Sequence, residues 1–166
     1  IDPDQTQRYI QRASQILDGT DLPGEERRGR RQMIGARSAI LSQQAHQAFA
    51  NGHIEKAIEL CRHDLELTSR LAQSGPDGLP RQEATVRRHL GQMLMAKGSY
   101  EEAEKMFLAS AELFRSVLDP MSDFFSLARR VEPLLQLQRP ADASDVIKRM
   151  KDLLHACAQN STRREN

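Results

Sequence analysis

The sequence predicts an all-α fold built from stacked antiparallel helix pairs, and three observations carry that expectation. Ala, Leu, Gln, Glu and Arg are abundant in a chain of 166 residues with 4% aromatics and no Trp. Such straight-chain side chains give up little rotamer freedom in a helix. No run alternates apolar and polar residues with the β-branched or aromatic content of a strand. Apolar stripes at helical spacing instead recur between turn signals, and three of those turns share one register.

Asp2, Pro3 and Asp4 read as a helix start, followed by an apolar face of Tyr9, Ile10, Ala13, Ile16 and Leu17. This first segment, with its loop to residue 24, is expected to cap one end of the stack. From residue 25 a long helical pattern begins with a basic knot, Arg27, Arg28, Arg30 and Arg31, read as a solvated face beside Glu25 and Glu26. Met33, Ile34, Ile40, Leu41, Ala45, Ala48 and Phe49 then form its stripe, and Asn51 and Gly52 end it. A second helix carries Ile54, Ala57, Ile58, Cys61, Leu65 and Leu67, and GPDGLP at residues 75–80 is a loop.

Residues 87–118 set the register. Leu90, Met93 and Leu94 precede a tight turn at Lys97, Gly98 and Ser99; Ala103, Met106, Phe107, Ala111, Phe114 and Val117 follow it. Gly91 marks where another helix approaches closely. Pro120 starts the next helix, whose stripe includes Phe124, Leu127, Val131 and Leu134 and whose Pro133 is expected to bend it. Pro140 follows a turn at Gln138, and Ala143, Val146, Ile147, Met150, Leu153 and Cys157 make the last stripe.

Gly52, Gly98 and Gln138 align as turns, with Ala57, Ala103 and Ala143 five residues on. The spacings are 46 and then 40 residues, and the six-residue excess matches the 75–80 loop. The expected organisation is a capping helix and loop at 1–24, helix pairs at 25–74, 80–118 and 120–158, and a disordered tail at 159–166.

Leu90 with Gly91, Gly98 with Tyr100, and Ala103 with Phe107 resemble the signature of the tetratricopeptide repeat, in a long-repeat form similar to that of kinesin light chain. Its neighbours depart from that signature. The first copy has Ala45 and Cys61 where the central one has Gly91 and Phe107; the third has Val131 and Ile147. Arg87 stands where the family places an aromatic residue. The resemblance implies a right-handed superhelix of about seven antiparallel helices, with the first helix of each pair lining a concave groove. On that register the groove residues are His46 and Phe49, then Arg88, Gln92 and Met95, then Phe125, Arg129 and Gln136, with Ser42, Thr85 and Glu132 beside them.

Arg88, Arg129 and Gln92 are similar to the residues with which chaperone-binding members of the family clamp a C-terminal carboxylate. Those members also use Lys and Asn in the first repeat, where this chain has Ser42 and His46. The expectation is therefore a groove of mixed character. Arg88, Arg129 and Arg130 would hold an acidic or amphipathic segment, with Phe49 and Met95 as apolar contacts.

Catalytic signals are missing from the sequence. The five histidines fall on different elements, and neither HExxH, CxxC nor a phosphate-binding glycine motif occurs. The acids Glu101, Glu102 and Glu104 start a helix, where its dipole favours them. The net charge of +1 offers no field for nucleic acid. No apolar run approaches the ~20 residues of a membrane span, nothing resembles a signal peptide, and Cys61 and Cys157 read as thiols of a reducing compartment. The chain is expected to be a non-enzymatic, cytoplasmic scaffold or adaptor without metal or cofactor, binding a peptide or helix of a partner protein. Its alternatives are a self-associating scaffold, forming a homo-oligomer, and a regulatory or sensor domain of a longer protein. That the chain opens on Ile1 rather than Met fits the last expectation.

Overall fold

The structure, a computed structural model, describes residues 24–73 and 79–162. Six α-helices follow one another: α1 (Gly24–Ala50), α2 (Ile54–Gln73), α3 (Pro80–Lys97), α4 (Tyr100–Ser116), α5 (Pro120–Gln136) and α6 (Pro140–Thr162). Among the described residues there is no strand. The expected capping helix lies outside the described residues, which hold six helices. Helix α6 runs to Thr162, past the boundary at residue 158 that the sequence suggested, and the rest of the expected tail lies outside the described residues.

Four helices end in the same way. After α1, α3, α4 and α5 the residue beyond the last turn is left-handed: Gly52 (φ 80°), Gly98 (φ 83°), Leu118 (φ 55°) and Gln138 (φ 56°). Each amide there donates three residues back, and the next amide donates five residues back. His53 N bonds Ala48 O at 2.8 Å, and Ser99 N, Asp119 N and Arg139 N bond Leu94 O, Phe114 O and Leu134 O at 2.9 Å. This is the Schellman closure, which satisfies carbonyls that the helix itself leaves open. Gln138 thus holds the place that glycine holds in the first two pairs. Leu118 does the same between pairs.

Proline opens three of the helices. Pro80, Pro120 and Pro140 sit at first positions, where the missing N–H costs no bond. The Asp119 carboxylate adds a cap to α5 by accepting from Ser122 N at 3.1 Å. Pro133 lies within α5, and the helix continues through it to Gln136. So close to the end, the ring removes only the bond to the Arg129 carbonyl.

Each helix packs on its successor, and α1 also touches α3 as α3 touches α5. The first helices of the pairs therefore form one layer and the second helices another, an arrangement consistent with a helical solenoid. One apolar cluster spans α1 to α4, with Ala45, Ile58, Cys61, Leu90, Met93, Leu94 and Phe107 among its members. A smaller one joins α4, α5 and α6 through Ala111, Leu127, Leu134, Ala143 and Val146. Gly91 explains the closeness of α3 and α4: a Cβ there would stand 2.7–2.9 Å from three atoms of the Phe107 ring. Ser110 continues this seam, donating to Ala84 O at 2.7 Å and lying 3.0 Å from Ser126 Oγ.

Buried acids bind the layers together. Glu83 accepts from Arg87 and Ser69, Glu104 from Arg130 at 2.6 Å, and both carboxylate oxygens of Asp123 from Arg149 Nη2 at 3.0–3.1 Å. Pairing is what makes such burial tolerable. Asp64 is different: it is fully buried, and its bonded partner is the Ser42 hydroxyl at 2.8 Å.

Candidate binding groove

The layer of first helices carries a cavity of about 260 Å³ lined by His46, Phe49, Gln92, Met93, Met95, Phe107, Arg129 and Glu132. Its lining comes from α1, α3 and α5 together with the Phe107 ring of α4. Helical periodicity places the contributions: His46 and Phe49 are one turn apart on α1, Gln92 and Met95 on α3, Arg129 and Glu132 on α5. The floor is apolar, made by Met93 and Phe107, each about 1–2% exposed. The rim is polar, with an amide, an imidazole, a guanidinium and a carboxylate. Such a chamber suits a large apolar side chain presented by a polar segment.

Five residues expected in the groove meet here: His46, Phe49, Gln92, Met95 and Arg129, along with Glu132. Arg88 does not line the cavity: its guanidinium lies over the Phe114 ring, 5.4 Å from the centroid. Burial lowers its pKa, Arg129 lowers it further, and Asp119 pulls it back up. Two guanidiniums therefore repel one another across α3 and α5. Phe125 lies outside the cavity on the exposed face of α5, with its ring edge-on to Phe124 at 5.8 Å. Gln136 is exposed at the end of α5, outside the cavity.

Two neighbours are engaged by other helices. Arg130 does not face the groove: it is tied to the buried Glu104. Ser42 donates to Asp64 of α2, while Thr85, on the face of α3 that it shares with Arg88 and Gln92, bonds back to Arg81 O at 2.9 Å. Helical rotation explains Arg130, which looks in a direction about 100° from that of Arg129.

The structure also makes pairs that periodicity does not reveal. His46 and His89 lie edge-to-face with centroids 4.4 Å apart, and His46 Nδ1 is 2.7 Å from Ser42 O. Burial pushes the His89 pKa down to about 4, helped by His46 and Arg88, and its Nδ1 is buried without a hydrogen-bond partner. A polar chain thus runs from His89 through His46 and Ser42 to Asp64. Burial raises the Asp64 pKa, against the opposing pull of Ser38, Ser42 and His63. The Ser38 hydroxyl lies near enough to act on it, but neither Ser38 Oγ nor Asp64 Oδ1 completes a hydrogen bond of good geometry. Cys61 is 3.5 Å from Met93 Sδ. Burial, then Asp64, pushes its pKa up to about 12, so it is a poor nucleophile.

A second cavity, of about 330 Å³, lies at the α1–α2 turn between Gln44, Gln47, Ala48, Asn51, His53, Lys56 and Leu60. Its surroundings mix three amides with Ala48, His53, Lys56 and Leu60, and it contains none of the residues expected to bind. Among the described residues no three His, Cys, Asp or Glu gather as a metal site, and no helix is long and apolar enough to cross a membrane. Compared with known proteins, the chain matches no family model, and no curated protein matches it.

Proposed function

We propose that this chain is a non-catalytic interaction module, a tetratricopeptide-like right-handed stack that holds a segment of a partner protein against the α1–α3–α5 layer. The observation that carries this reading is the cavity, in which residues of three successive first helices surround an apolar floor. The common register of left-handed helix ends and the fit of Gly91 to Phe107 support the repeat architecture. Binding is favoured over catalysis by the lining: thioethers, an amide and aromatic rings, with a single carboxylate beside a single guanidinium. A cytoplasmic location belongs to the same reading, supported by the buried free thiol of Cys61.

Selection of a random peptide library on the whole chain and on a Gln92→Trp variant tests it. The indole would fill much of the cavity without removing a core contact. Peptides enriched on the original chain should be lost on the variant; equal enrichment on both, or none on either, would overturn the groove assignment.

A second reading, self-association, is favoured by the outer face of α6. Ile147 and Leu154, seven residues apart, are 41% and 49% exposed on this last described helix. Light scattering over a concentration series separates the two, because a rising mass that Leu154→Lys abolishes belongs to self-association alone.

A further inference from the structure

The exposed face of α5 carries a pattern. Met121 and Phe125, one turn apart, are 51% and 53% exposed. Arg129 and Glu132, one and two turns later, both line the cavity. At 1.5 Å per residue, Phe125 stands about 6 Å from the level of Arg129 and about 10 Å from that of Glu132. The groove thus offers an apolar landing at each end, with Arg129 on the cavity edge nearer Phe125 and Arg88 close enough for the two charges to repel.

Those two arginines differ from their neighbours. Arg87, Arg130 and Arg149 are each consumed by a buried acid. Among the described residues neither Arg88 nor Arg129 has a carboxylate within ion-pair distance. Asp119 acts on Arg88 only from farther away, and Glu132 lines the same cavity as Arg129 without pairing with it. Two adjacent like charges left without a partner are complementary to an anion brought from outside.

We propose that the groove takes an acidic amphipathic α-helix of a partner, with large apolar side chains at i and i+7 and Asp or Glu at i+3 or i+4. The apolar pair would seat in the cavity and against Phe125, and the acid would lie between Arg88 and Arg129. A helix advances about 10 Å in seven residues and returns to the same face, with i+3 and i+4 between. An extended strand covers the same distance in three residues and ends on its opposite face. A polyproline helix regains its face after three residues but presents nothing to the arginines on the way. Only the α-helix supplies all three contacts.

This inference rests on the groove being the binding face, and its test separates the two. The probe is a fluorescein-labelled, lactam-stapled helix of about 14 residues, with Leu at i and i+7, Glu at i+3 and i+4, and Ala and Gln elsewhere. One control carries Lys for both Glu; another carries Pro in the centre and cannot be helical. Fluorescence anisotropy with the full chain should show the Glu helix bound at least about tenfold tighter than either control. Arg129→Glu should reverse the preference between Glu and Lys helices, and Phe125→Ser should weaken both. Both side chains are exposed, and circular dichroism confirms that each variant is folded.

Equal affinity for the Glu and Lys helices, equal affinity for the proline control, or no binding of the helix would each overturn the inference. So would a dimer that the probe dissociates, because the groove would then belong to a second copy. Library peptides lost on Gln92→Trp but lacking the i, i+7 pattern would overturn it as well, and leave the groove as a binding face.

Discussion

His89 and Asp64 lie at opposite ends of one polar chain, and their titrations work in opposite directions. His89 has a folded pKa near 4 against an ordinary 6.5. The folded state therefore favours the neutral ring, and its contribution is complete above pH 6.5 and lost as pH falls toward 4. The loss is at most about 3 kcal/mol. Urea midpoints measured from pH 7 to pH 4 should fall less steeply in His89→Gln than in the original chain; parallel profiles would disprove the assignment. Asp64 is raised above 3.8, so it favours the folded state when protonated and costs stability as pH rises through its folded pKa. Asp64→Asn keeps an acceptor for Ser42 and brings a donor within reach of Ser38. It should raise stability at pH 7 by roughly 1 kcal/mol, seen as a higher thermal midpoint, with the gain shrinking toward pH 4. A variant less stable at pH 7 would show that the ionised carboxylate is wanted where it is. Neither residue was singled out by the sequence beyond its type. Periodicity assigns a side chain to a face, but which residue of another helix it meets depends on how far the two helices are rotated.

At the scale of single elements more was legible, because helix ends and close approaches are local. The turn register of Gly52, Gly98 and Gln138 could be read directly from spacing, and all three are left-handed. Leu118 could not be read so, since a leucine carries no sign of that conformation and ends 87% exposed. A β-carbon in the left-handed region costs about 1–2 kcal/mol, and little burial is lost by removing this side chain. Leu118→Gly should therefore raise the thermal midpoint by about 2–4 °C for each kcal/mol regained; a lower midpoint would mean that Leu118 packs against something when the chain is folded. Gly91 shows the opposite case. Gly91→Ala improves helix propensity by about 1 kcal/mol but drives a Cβ into the buried Phe107 ring. Overpacking costs about 1–3 kcal/mol, so the variant should be the less stable one. Combining it with Phe107→Leu should recover part of the loss, a coupling that a double-mutant cycle measures. If the two substitutions simply add, the ring and the glycine are not matched to each other.

For the whole molecule, what matters is that each helix leans chiefly on its two neighbours. Stability in such a stack is close to a sum of local terms, and the ends open before the middle. The two apolar clusters are unequal: the larger spans α1 to α4 around Phe107, Leu90 and Met93, and the smaller joins α4, α5 and α6 through Ala111, Leu127, Leu134, Ala143 and Val146. Helix α6 packs on α5 while leaving Ile147 and Leu154 exposed. The sequence could show that α6 has an apolar stripe, but not that Ile147 and Leu154 of it would be left exposed, since its periodicity is as regular as that of α4. Native-state hydrogen exchange should resolve this gradient, with α6 amides exchanging through an opening smaller in free energy than that of α3 and α4. The groove spans the boundary, because Arg129 and Glu132 belong to the weaker part while Gln92 and Met95 belong to the stronger. A ligand bridging them stabilises the state in which both are closed, by an amount set by its concentration relative to its dissociation constant. A saturating ligand should therefore raise protection in α5 and α6 more than in α3 and α4. Uniform protection without ligand would contradict the local-stack description, and a ligand that protects α3 alone would show that α5 takes no part in binding.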